Sequence, residues 1–235
     1  DQAWQRQGAL AIVEGEAGVG KTRLVRELAN QVRRRGGKVL TGSCYEGERL
    51  PYGPFVEAFR PLLADRADDR SLFGGLEAEL QPLLPGLESG VELAELEPNQ
   101  ARLRLFDATS RLLARLSDRQ PLLLVLDDLH WIDDASLELL GYLVRNSQGH
   151  PILICGTVRR EERDDQHPLT RLIWALSRQR LVDRIELAPL PSQATADLLA
   201  ALLGLSQAPE ALAGPIFQYA EGNPFFVEEL LRMLA

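Results

Sequence analysis

Two cysteines and three histidines are all that 235 residues offer a soft metal ion or a disulfide framework. Cys44 and Cys155 lie in separate apolar stretches at no metal-ligand spacing, and His130 has no nearby Cys or His to complete a zinc site. Both cysteines are expected as buried free thiols of a reducing, cytoplasmic compartment. Long hydrophobic runs are missing as well. None approaches the roughly 18 consecutive apolar residues of a membrane span, and no basic start leading into an apolar stretch marks a signal peptide. Positive charge is in deficit: 26 Lys+Arg against 34 Asp+Glu leave a net charge of −8 and a pI near 5.0. That balance argues against direct nucleic-acid contact, which needs a basic surface. The one basic cluster, Arg33-Arg34-Arg35, falls at the end of a predicted helix, where cations suit the helix dipole. There is no fixed-period repeat and no low-complexity segment. The chain starts at Asp1, which reads as an excised fragment.

What is present is ordinary for a globular protein: 45% hydrophobic and 26% charged residues. The length suits one large domain, or a core with a smaller appendage. Five β-type runs alternate with helical patterns, which predicts an α/β fold with a mainly parallel five-stranded sheet. They are Leu10 to Glu14, Lys38 to Cys44, Leu122 to Asp127, Ile152 to Val158 and Arg184 to Leu187. The third shows no polar alternation, as a strand covered on both faces should. Leu24, Leu28 and Val32 predict one helix face, and Ala101, Leu105, Ala108, Leu112 and Leu116 another. Residues 46–98 carry six prolines and read as short helices inserted between strands two and three, with no chemistry assigned. Beyond Pro191 the β signal stops. Ser192 is expected to cap a helix ending at Gly204, Pro209 to Ala220 reads as a second helix, and Asn223 should cap a third that starts with Pro224.

Gly15-Glu16-Ala17-Gly18-Val19-Gly20-Lys21-Thr22 fits G-x-x-x-x-G-K-[ST] and sits between a predicted strand and a predicted helix. Glycines there let the main chain wrap a phosphate, and amide N–H groups at the helix start supply the complementary charge. Lys21 can reach the outer phosphates and Thr22 can offer its hydroxyl to magnesium. The buried third strand ends in Asp127-Asp128, at the edge where parallel sheets bind ligands. Asp127 is the expected magnesium-side carboxylate, and Asp128 is placed to orient a water against a γ-phosphate. Asp133 is read as a helix cap.

The run Leu126-Asp127-Asp128-Leu129-His130-Trp131-Ile132-Asp133 resembles the "DDLHWxD" signature of bacterial STAND-class P-loop ATPases, found in large LuxR-type and AfsR-type regulators and beside some nucleotide cyclases. Three further stretches extend the resemblance. They are Gly42-Ser43-Cys44 with Pro51-Tyr52-Gly53-Pro54-Phe55, the "GTxR"-like Gly156-Thr157-Val158-Arg159, and the "GNPFxxEEL"-like Gly222 to Leu230. The resemblance implies a three-layer P-loop NTPase core over residues 1–190 and a small, truncated helical lid over 191–235. It gives Arg159 the role of γ-phosphate sensor and packs Pro224 against adenine. His130 and Trp131 are read as packing or lid-contact residues. The family's adenine box, usually upstream of the phosphate loop, is not found in the 14 residues before Gly15.

These observations frame an ATP-binding, slowly ATP-hydrolysing regulatory switch that cycles between ATP and ADP with Mg²⁺. It would act within a larger signal-transduction protein, a bacterial transcriptional regulator by this resemblance, and self-associate with ATP bound. The alternatives are an ATPase module attached to a cyclase or kinase, a small-molecule P-loop kinase, and a module that holds ADP without turnover.

Overall fold

The computed structural model describes residues 8–47, 50–65, 71–88, 97–161 and 166–234. Its centre is a five-stranded sheet of β1 (Ala9–Gly15), β2 (Lys38–Ser43), β3 (Leu122–Asp127), β4 (Ile152–Arg159) and β5 (Val182–Glu186) in the order β2-β3-β4-β1-β5. Every pairing is parallel. The order places β4 between β1 and β3, and this decides which residues meet at the carboxyl edge.

Side chains alternate along each strand, so the sheet separates its own sequence into two cores. Ala11, Val13, Leu123, Val125 and Cys155 face α1 (Lys21–Arg34). Leu10, Ile12, Leu122, Leu124, Leu126 and Ile154 face the larger core, built with α2 (Gly53–Phe59), α5 (Pro98–Arg119), α6 (Asp134–Asn146) and α7 (Pro168–Arg178). Two short helices, α3 (Leu62–Asp65) and α4 (Glu77–Leu80), complete the described part of the insertion. The insertion is structural rather than peripheral: Phe55, Phe59, Phe73 and Leu80 are fully buried in the larger core. Its prolines start helices as well as break them, since Pro54 and Pro98 occupy the first turns of α2 and α5.

Several expectations shift. In α1 the buried stripe is Val25, Ala29 and Val32, whereas Leu24 is 42% exposed and Leu28 only partly covered. Burying Lys21 at the helix start sets this rotation, and the slim Val and Ala side chains let α1 lie close to the sheet. Ala101 is exposed, and the buried face of α5 begins one turn later at Leu105. β5 begins two residues early, at Val182, and is an exposed edge strand; Leu187 lies past its end and packs on the α1 side.

The last three helices are α8 (Ser192–Leu203), α9 (Glu210–Ala220) and α10 (Pro224–Leu234), which share a core of Leu199, Ile216, Ala220 and Val227. Ser192 does not cap α8. Pro191 holds that position with φ −65° and ψ 162°, which makes Ser192 the first helical residue. Gly204 ends α8 in the left-handed conformation, as expected. No helix among the described residues is long and apolar enough to cross a membrane.

Candidate functional site

β1 ends at Gly15 and α1 begins at Lys21, so the intervening loop crosses the carboxyl edge of the sheet. α1 starts without a side-chain cap and without an acidic residue in its first turn. Its leading N–H groups therefore remain available to an anion from outside the helix. Gly18 and Gly20 adopt positive φ of 79° and 106°, a backbone that glycine takes without strain. The Lys21 ammonium folds back along the loop and donates to the carbonyl oxygens of Gly15 and Glu16, both at 2.8 Å. Burial lowers its pKa, opposed by the carboxylates of Glu161, Asp128 and Asp127.

The side-chain alternation that points Leu123 and Val125 at α1 does the same for Asp127. Thr22 Oγ1 donates to Asp127 Oδ2 at 3.1 Å, across 105 residues of sequence. The other carboxylate oxygen accepts a short hydrogen bond from Thr157, a fully buried residue of the intervening strand β4. Thr157 Oγ1 in turn accepts the backbone N–H of Asp128 at 2.9 Å. Thr157 belongs to the "GTxR"-like stretch, and its local sequence assigns it no role. The available signal was a hydroxyl in an otherwise apolar strand interior, where it needs a partner.

Asp128 follows β3 in a left-handed conformation, φ 55° and ψ 47°, which turns the chain sharply into the helical turn Leu129–Trp131. Gly156 makes room for this turn, because a Cβ there would overlap the Leu129 side chain. Burial raises the Asp128 pKa, with further upward pressure from Asp127; His130, Arg159 and Lys21 act against it. The buried His130 ring approaches Asp128 Oδ1 at 3.9 Å and lies against Trp131, with ring centroids 4.3 Å apart. Asp133 caps α6 as expected, its carboxylate accepting from Ser136 N at 2.9 Å.

Arg159 is the last residue of β4, in register with Gly15, so it lies on the same edge as the loop. Its guanidinium sits 4.6 Å above the Trp131 ring, a cation–π contact that joins the end of β4 to the turn after β3. Glu14, immediately before the loop, is buried and clamped by Arg184 of β5 at 3.0 and 2.6 Å, which ties the loop's entry to the edge strand. At the other side, Pro224 starts α10 as expected and is half-buried. Its neighbours touch the loop: Asn223 Nδ2 donates to Ala17 O at 2.8 Å, and Phe225 N faces Gly18 O at 3.4 Å. Lys21, Thr22, Asp127, Asp128 and Arg159 are thus gathered at one sheet edge, with Pro224 beside the loop they border.

A parallel sheet flanked by helices, with a glycine loop running from the interior strand β1 into an uncapped helix beside a strand-end aspartate, defines a P-loop NTPase core. The family described as "AAA ATPase domain" matches residues 2–155, and the chain belongs to that family. A family described only as a domain of unknown function matches residues 191–235. Among curated proteins, the chain is 27% identical over 259 aligned positions to an uncharacterized protein, R02095, of Rhizobium meliloti (strain 1021). The alignment takes in 97% of this chain and 23% of that protein's length. Among solved structures, a STAND protein with a tetratricopeptide repeat sensor from Pyrococcus horikoshii matches with a TM-score of 0.51 and 16% identity, over 98% of this chain and 31% of that one. The Aeropyrum pernix ORC1 protein, solved in complex with DNA, gives a TM-score of 0.49 and 18% identity, over 95% and 53% of the two chains. At 16% identity, the likeness to the Pyrococcus horikoshii protein is one of fold.

Proposed function

We propose that this AAA-type ATPase module binds ATP with Mg²⁺, hydrolyses it slowly, and serves as the nucleotide-dependent switch of a larger signal-transduction protein. The observation that carries the reading is the 3.1 Å contact between Thr22 and Asp127 beside the loop containing Lys21. It brings two hard oxygen donors together at the mouth of an uncapped helix. One hydroxyl, one carboxylate and the nucleotide's own phosphates form the kind of sparse protein set that suits Mg²⁺, which keeps several waters. When bound, the ion would neutralise phosphate charge.

The chain's own groups supply the rest. Loop amides from Glu16 to Thr22 hold the phosphates, and Lys21 exchanges its carbonyl partners for phosphate oxygens. Asp128 orients a water and accepts its proton as the water attacks the terminal phosphate. Arg159, held on Trp131, faces the charge that develops on the departing phosphoryl oxygens. Pro224, beside the loop, packs against the base, so bound nucleotide bridges the sheet core (residues 1–190) and the helical lid (residues 191–235).

The wider role is supported by the STAND-like motif set and by the fold likeness to a STAND protein. Under this reading the module's partners are its own sensor and output domains, a transcriptional output among them, together with ATP-dependent self-association. Thermal melting tests the core claim. ATP·Mg²⁺ at about 100 times its dissociation constant stabilises a protein by about 2.7 kcal/mol, a rise of roughly 5–10 °C for a chain of this size. Lys21→Ala should abolish the rise, and a rise that persists in the variant would sink the proposed site. Phosphate found on an added metabolite instead of in solution would replace the switch by a kinase.

A further inference from the structure

We infer that Asn223 is a positioning residue of this nucleotide site: a latch that fixes the phosphate loop from the side of the C-terminal helices. Its side-chain amide is used at both ends. Oδ1 accepts the Phe225 N–H at 3.1 Å and caps α10, while Nδ2 donates to Ala17 O at 2.8 Å, 206 residues away in sequence. Asn223 is 6% exposed, so this amide is shielded from water competition. The contact is close on both sides: a Cβ on Gly18 would stand 2.6 Å from Phe225 Cβ and 2.8 Å from Asn223 Oδ1.

The geometry matters because of what happens to the loop's other carbonyls. Lys21 Nζ holds Gly15 O and Glu16 O, Asn223 holds Ala17 O, and Phe225 N faces Gly18 O. Four consecutive carbonyls are thus engaged, the last two of them by Asn223 and Phe225 at the start of α10. In a trans peptide the carbonyl and the following N–H point in opposite directions. Fixing the Ala17 carbonyl therefore fixes the Gly18 N–H, one of the donors offered to phosphate. Asn223 connects the position of α10 to the shape of the cradle. A capping residue alone needs only an acceptor; the donor half of this amide is what makes the latch.

That distinction gives the test. Ser caps helices about as well as Asn, but it is too short to span to Ala17 O, and it carries no charge toward the phosphates. Asn223→Ser should leave the melting temperature close to wild type. It should increase amide hydrogen exchange in the loop segment 16–19 and speed dissociation of a fluorescent ADP analogue by about three- to tenfold, as expected for one lost shielded hydrogen bond. Asn223→Asp, which also keeps the cap and loses the donor, should shift exchange in the same direction. The dissociation arm rests on the proposed nucleotide reading; the exchange arm, measured without nucleotide, does not. Failure of the wild type to bind the analogue would overturn that reading alone. Wild-type loop exchange in Asn223→Ser would overturn the latch and leave Asn223 as a cap.

Discussion

Asp128 occupies a position that works against folding. Its backbone is left-handed, and burial beside Asp127 raises its pKa above the ordinary 3.8. A carboxyl with a raised folded pKa contributes stability only below its unfolded value and loses it as pH rises, so at neutral pH its charge is a net cost to the fold. Asn tolerates the same backbone and carries no charge. Asp128→Asn should therefore raise the melting temperature at pH 7 while slowing phosphate release from ATP about 10²–10⁴-fold, the range of a lost general base. Equal turnover by the variant would remove Asp128 from the mechanism. Thr157 is its structural complement: one hydroxyl, buried in β4, bonds both Asp127 and the Asp128 backbone.

Among elements, the turn after β3 is the piece that assembles the edge. Leu129 anchors it on β4 at Gly156, His130 approaches Asp128, and Trp131 carries Arg159. Gly156 lies in extended strand without positive φ, so Gly156→Ala introduces no backbone strain but overlaps the Leu129 side chain, with a lesser close contact to Ile12 Cδ1 at 3.2 Å. Overpacking of this kind costs about 1–3 kcal/mol, and denaturant unfolding should show that loss. Trimming the obstruction with Leu129→Val in the same chain should recover part of it. Two strictly additive losses would mean that the turn is not held at this point.

For the whole molecule, each of the two cores on the faces of the sheet encloses one thiol. Cys44 lies in the larger core and Cys155 in the α1 core, and both are free. Burial pushes both thiols up to about 12 from an ordinary 9.0. The folded protein keeps both protons through a window where the unfolded chain sheds them, so stability should fall as pH rises from about 9 towards 12. Replacing both by Ala should flatten that part of the stability curve. An unaltered slope would show that the thiols do not control it. At neutral pH the folded protein should resist thiol alkylation, and both cysteines should react on unfolding.

The glycine loop between β1 and α1, the aspartate at the end of β3 and five alternating strands were legible in the sequence because each depends on local spacing: glycine placement, an uninterrupted apolar run, a turn signal. Helix rotation was not. Leu24 and Leu28 have helical spacing as good as that of Val25 and Ala29, and only the docking of α1, with Lys21 turned inward, chooses between the two faces. Capping by Asn223 was readable from its place before Pro224, but its bond to Ala17 was not, since no local pattern reports a partner 206 residues distant. The same holds for Thr157, whose partners follow from β4 lying between β1 and β3. Sequence alone determined which chemical groups stand at the strand ends, because strand period and turn residues are properties of neighbours along the chain. Tertiary structure decided which of those groups touch, because strand order and helix docking are settled by burial across the whole sheet.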